Sequence, residues 1–283
     1  MNAKKNSVPL PADLPDFLKT QLQEKKIRNL NQLLDKEHQD LLLSCFHASV
    51  QVDLFEKAMI SKAGTLSPQV ALVLLEAGAS LPMGEEEDLA INALYGKNIE
   101  LTLALIDKKY VEVDHEDLRK RNLFTIAITE GNLDAASELL ERGADINHRG
   151  DLFMMKGCTA LHEAASRGSF QGVLFLLENG VDAEIKDTEN AFASQMVPQN
   201  TNLANNEFFD MEVMFNAMEE YKVAKRAGQE YTIPPAMYEM AYFEHAPTTM
   251  NQQFAATLKK RTNVSEELLE LAKKIPVPKK GFF

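Results

Sequence analysis

Cys158 and His162 are the pair with the most chemical promise. Four residues apart on a helix, a thiol and an imidazole share a face, the spacing a thiolate nucleophile and its base need. Nothing adjacent in sequence orients the imidazole, and Cys158 reads as a variable surface position, so the pair is expected to be structural. His115-Glu116-Asp117 offers three ligand-type side chains in a row, but a metal needs more donors than this run supplies. Glu85-Glu86-Glu87-Asp88 reads as the acidic start of a helix, offsetting its dipole. The phosphate-cradling glycine loops, the H-E-x-x-H zinc motif and the G-x-S-x-G nucleophile turn are all missing from the sequence. With only Cys45 and Cys158, a disulfide framework and a cysteine-rich zinc site are excluded. No cofactor and no catalytic residue are expected.

Composition narrows the partners. Thirty basic against 42 acidic residues give a net charge of −12, a poor match to phosphate backbones, so nucleic acid is not expected. The 45% hydrophobic and 25% charged residues are an ordinary globular balance. No apolar run approaches the ~18 residues of a membrane span. Met1 to Leu10 has no apolar stretch before Pro9 and Pro11, so a cleaved leader is not expected. Free thiols suit a cytoplasmic setting. From Ala256 onward seven basic residues outnumber three acidic ones, so a basic tail follows an acidic body.

The elements that position these side chains recur along the chain. Gly157-Cys158-Thr159-Ala160-Leu161-His162-Glu163-Ala164-Ala165 runs through Gly168 into Val173-Leu174-Phe175-Leu176-Leu177-Glu178-Asn179-Gly180. The preceding unit, Leu123-Phe124-Thr125-Ile126-Ala127 through Gly131 to Leu139-Leu140-Glu141-Arg142-Gly143, repeats the same offsets 37 residues earlier. Leu89 to Gly96 with Leu103 to Asp107, and Val70 to Ala79, are degenerate copies, with Lys108 in place of a closing glycine. Leu54 to Ala63, ahead of Gly64, is the first helix of the earliest copy. The pattern dissolves by Val197-Pro198.

The best unit closely resembles the ankyrin repeat: a hairpin glycine, T-(P/A)-L-H-x-A-A, a helix-breaking glycine, a second helix ending in Leu-Leu and a closing glycine. His162 is then the repeat's turn histidine. An ordinary period of about 33 residues implies about four extra residues between Asn147 and Gly157. The resemblance implies an all-α ankyrin-repeat solenoid with helical N- and C-terminal caps: 1–48 a helical cap, 49–198 about four repeats, and 199–283 a helical region with the basic tail. It also implies a scaffold binding a protein partner through the concave face and hairpins. The family's variable positions fall on Leu94 and Tyr95; on Arg121, Thr129 and Glu130; and on Met155, Lys156, Cys158, Ser166 and Arg167. Leu152, Phe153, Met154 and Met155 make the long hairpin apolar, which calls for cover by either a partner or the protein itself.

Flanking segments read as helices. Leu14, Phe17, Leu18 and Leu22 share one face, and Leu30, Leu33 and Leu34 another. Glu207 to Ala227 carries a Met and Phe stripe, read as core. Pro235 starts a helix over Ala236 to Glu244, and Ser265 caps another. Glu266-Glu267-x-x-Glu270 ahead of the lysines resembles the glutamate-rich C-terminal signal of type IV-secreted bacterial effectors. That resemblance implies an effector acting in a host cell's cytoplasm, and the chain is separately expected to be a monomer. The alternative is a small enzyme domain in 199–283 that the repeats target.

Overall fold

The structure, a computed structural model, describes residues 9–48, 59–60, 62–76, 89–152, 155–198 and 211–245. Most of the expected helix from Leu54, the Glu85–Asp88 run, Phe153, Met154, Phe208 and the whole tail with its Ser265 helix lie outside them. The chain divides into two compact units, residues 1–118 and 119–283.

In the first unit, α1 (Asp16–Glu24), α2 (Leu30–Leu33) and α3 (Gln39–Ala48) precede α4 (Pro68–Glu76), α5 (Leu89–Tyr95) and α6 (Ile99–Asp107). Leu14, Leu18, Leu22, Leu30, Leu33 and Leu34 form the expected apolar cluster, whereas Phe17 is 63% exposed. The helical period explains this: Leu18 and Leu22 lie four apart on the buried face of α1, and Phe17 falls beside that stripe.

Helices α5 and α6 form one helix pair. Asn98 caps α6 by accepting from Leu101 N, and its amide donates to Ala63 O (2.9 Å) and Leu66 O (2.5 Å). The left-handed residue between the helices is Lys97 (φ 60°), not Gly96, and the one closing α6 is Lys109 (φ 60°), not Lys108. The sequence register was therefore one residue early at both turns. Gly96 is glycine for another reason: a Cβ there would lie 2.3 Å from Gly64 Cα.

In the second unit, α7 (Leu123–Thr129) and α8 (Leu133–Glu141) form one pair; α9 (Ala160–Arg167) and α10 (Phe170–Glu178) form the next. Each pair turns through a left-handed glycine, Gly131 (φ 68°) or Gly168 (φ 66°), and closes on Gly143 (φ 88°) or Gly180 (φ 81°). Asn122, Asn132 and Ser169 supply side-chain caps to α7, α8 and α10. Phe124, Ile126, Ala127, Leu139, Leu161, Ala165, Phe170 and Leu176 are fully buried and make the core.

Fourteen residues separate Gly143 from Gly157, against ten from Gly180 to the next left-handed residue, Asn190. The four extra residues fall in a two-stranded antiparallel hairpin, β1 (Gly150–Leu152) and β2 (Met155–Cys158). After Asn190 the pattern yields only a 3-10 turn, Ala193–Met196, where another first helix would stand. Helices α11 (Met211–Arg226) and α12 (Pro235–His245) pack against α10. Met211, Met214, Met218 and Tyr221 are buried there, so most of the Met and aromatic stripe is core, while Phe215 is 40% exposed.

Candidate interaction surface

Thr159 opens α9 with a capping box whose reciprocal partner is His162. Thr159 N donates to His162 Nδ1 (3.1 Å), the Thr159 hydroxyl lies 2.9 Å from the same atom, and Nε2 sits 3.3 Å from Ala191 O. A neutral imidazole with its proton on Nε2 satisfies every one of these contacts. Burial, only partly offset by the Ala191 carbonyl, holds His162 below the usual imidazole range. Both ring nitrogens are thus spent on architecture.

Cys158 is 2% exposed, which overturns its reading as a surface position. It ends β2 just before the cap, and burial, with Asp187 and Glu163 adding to it, pushes its thiol up to about 11. A thiol of that pKa remains protonated at neutral pH and is no nucleophile. His115, Glu116 and Asp117 lie between two turns of the first unit, with Glu116 in a β-bridge, and no cluster of three or more His, Cys, Asp or Glu among the described residues is placed to hold a metal.

The positions expected to contact a partner divide by burial. Tyr95 is exposed, as are Glu130, Lys156 and Arg167, and Ser166 is half-buried with its hydroxyl donated to Glu163 O. Leu94 is buried instead, an apolar residue turned into the α5 core. Arg121 and Thr129 are buried as well, because both reach the carboxylate of Glu163 in the next helix pair. Arg121 Nη1 stands 3.7 Å from Oε2; the Thr129 hydroxyl lies within reach of two acceptors, Glu163 Oε2 and Thr125 O (2.7 Å), which share its single proton. Leu152 is buried at 4%, so this part of the hairpin tip is covered by the protein itself. Met155 pairs through its backbone with Leu152, and Phe153 and Met154 lie outside the described residues.

Several important side chains escaped the sequence reading. Glu163 sits at the variable position of the Leu-His-x-Ala motif, where no residue type is diagnostic. Arg149 donates from Nε to Gly157 O (3.2 Å) and from Nη2 to Lys186 O (2.6 Å), fastening three stretches of hairpin together. Its available signal was its place in the longer loop, next to the strand-starting Gly150.

In the C-terminal helices, Ser194 Oγ donates to Glu219 (2.5 Å), which also binds Lys222 (2.6 Å), and Tyr221 donates to Val181 O (2.9 Å). A hollow of about 280 Å³ lies between Gly180–Glu184 and the side chains of Lys222, Lys225 and Arg226. Arg226 is paired with Glu184 and Lys222 with Glu219; the hollow brings together no nucleophile and base.

In the second unit, successive helix pairs that turn and close on left-handed glycines, with a capped hairpin ahead of α9, define the ankyrin repeat fold. The family model "Ankyrin repeats" matches residues 89–187 in three copies. Among solved structures, the chain is similar to the human ASB11 ankyrin repeat domain, with 18% identity and a TM-score of 0.53, over 65% of this chain and 87% of that one. No curated protein matches the sequence. No helix among the described residues is long and apolar enough to cross a membrane.

Proposed function

We propose that the chain is a non-catalytic scaffold that binds a protein partner on the hairpins and the first helix of each pair. Ankyrin repeats as a class are protein-interaction modules, and the use of Cys158 in the core and His162 in the capping box fits that role. The observation that carries the reading is a division of labour in the second unit. Arg121, Thr129 and Cys158 are taken up by the stack, while Glu130, Lys156 and Arg167, at neighbouring positions, stay exposed. Exposed charged residues set on a repeat backbone are available for recognition, each losing only its own side-chain freedom when bound.

Capture of a partner from eukaryotic cytosol on the full chain tests this. The expected result is a protein retained by the wild type and lost with Glu130→Arg combined with Arg167→Glu, at unchanged melting temperature. Retention of nothing, or of proteins indifferent to that charge reversal, would overturn it.

The resemblance of Glu266, Glu267 and Glu270 to an export signal supports a further part of the reading: an exported bacterial effector working in host cytoplasm.

A further inference from the structure

The hairpins of the second unit are sewn together through main-chain atoms. Asp151 N donates to Arg119 O (2.7 Å) and Thr188 N to Lys156 O (2.9 Å). His148 Nε2 lies 3.0 Å from Lys120 O, and Arg149 bridges Gly157 O and Lys186 O. The packing is close: a Cβ on Gly150 would lie 2.9 Å from Lys120 O. These bonds bring Lys120, Arg149, Lys156 and Lys186 onto one continuous edge.

That edge is cationic on a protein of net charge −12. Lys120, Arg149 and Lys156 are exposed, and no carboxylate among the described residues forms an ion pair with any of them. Lys186 is drawn inward, bonded to Asn190 Oδ1 and lying 4.7 Å from the Phe192 ring centre. The acidic residues of the edge oppose this weakly. Asp187 is buried, with Oδ1 accepting from Glu189 N and Ala191 N; Asp151 is half-buried; Glu189 is exposed, as is Asp145 four residues before Arg149.

Arg149 is the distinctive member. Two of its five N–H groups are held by carbonyls, so the guanidinium is fixed while three donors remain. A neutral carbonyl fixes an arginine without cancelling its charge. The result is a preorganised fork that a carboxylate can accept end-on.

We infer that this edge docks an acidic peptide segment of the partner, with Arg149 as the fixed anchor and Lys120 and Lys156 as flanking charges. The inference rests on the scaffold reading and names the partner's chemistry. A nucleic acid fits less well, since three exposed cations neutralise few phosphates and the acidic body repels the rest.

The test titrates a labelled oligoglutamate peptide into the full chain, with a neutral peptide of equal length and a DNA duplex of equal charge as controls. Saturable binding of oligoglutamate alone is expected, weakening as salt rises from about 0.05 M to about 0.3 M. Lys120→Glu with Lys156→Glu should weaken it by roughly tenfold or more, as reversing two charge contacts does. Arg149→Lys, which keeps the charge and loses the fork, should also weaken it. Lys156→Glu alone, on an exposed strand position, reads the same effect should the double variant melt early. Oligoglutamate binding that is absent or indifferent to these changes, or matched by the duplex, would overturn the inference. A partner captured from cytosol that still binds Lys120→Glu/Lys156→Glu would overturn the acidic docking edge while leaving the scaffold standing.

Discussion

Arg121 and Glu163 face each other from successive helix pairs, Nη1 to Oε2 at 3.7 Å, with side chains only 7% and 3% exposed. Their charges are nearly out of water, and the Thr129 hydroxyl completes the contact from the helix between them in sequence. This joint is built from residues of three segments, and no single repeat contains it.

Removing one member of such a pair costs the other this ion-pair contact. Glu163→Ala should destabilise the chain by about 3 kcal/mol, the scale for breaking a buried pair from one side. Glu163→Gln, which can still accept from Thr129, should cost less. Urea melts of both, with Arg121→Ala closing a double-mutant cycle, measure the coupling; additive losses would show that the pair does not interact.

His162 predicts a pH dependence. Its folded pKa lies below the ordinary imidazole value because burial disfavours the cation. Between the two values the unfolded chain binds more protons than the folded one, so stability rises with pH through that window and is lost on acidification. Urea midpoints should fall from about pH 7.5 to about pH 5.5 across the imidazole range. His162→Gln should be less stable at neutral pH and have a flatter profile. An identical slope in the variant would assign the effect elsewhere.

Two glycines that look alike in sequence should respond differently to alanine. At Gly131 a Cβ meets nothing within 4 Å, and only its left-handed backbone (φ 68°) resists, so Gly131→Ala should cost about 1–2 kcal/mol. At Gly96 the Cβ would collide with the Gly64 backbone, which has no flexible end to yield. Gly96→Ala should cost up to about 3 kcal/mol, as overpacking does. Thermal melts compare them, and equal losses would contradict the close approach.

Export is tested separately from folding. Deletion of residues 264–283 should abolish translocation of a reporter fusion from a type IV-competent bacterium and leave the melting temperature of the repeats in place. Undiminished delivery would remove the support that Glu266, Glu267 and Glu270 give.

The repeat units were legible because glycine and the Thr159–His162 pair leave little choice of backbone. Gly131, Gly143, Gly168 and Gly180 all hold left-handed turns, at the offsets that the sequence displays. Where lysine took that conformation, at Lys97 and Lys109, the signal vanished and the register slipped by one. The interaction surface was harder to read. Thr129 and Glu130 are adjacent, yet one is buried against Glu163 and the other is exposed. Such a division depends on the neighbouring repeat, 34 residues away, which local pattern does not report.

The single 3-10 turn at Ala193–Met196 bears on how the array can grow. Tandem repeat proteins lengthen by duplicating a whole module, which then presents the same stacking face to the next copy. Here that face is already claimed: Ser194 is tied to Glu219, and Gln171 of α10 donates to Ala241 O. A module duplicated after Glu178 would have to displace the Gln171–Ala241 tie before it could stack. Gain of length at this end is therefore opposed by the α11 and α12 contacts, whereas the hairpin between Gly143 and Gly157 has already accepted four residues without breaking the stack.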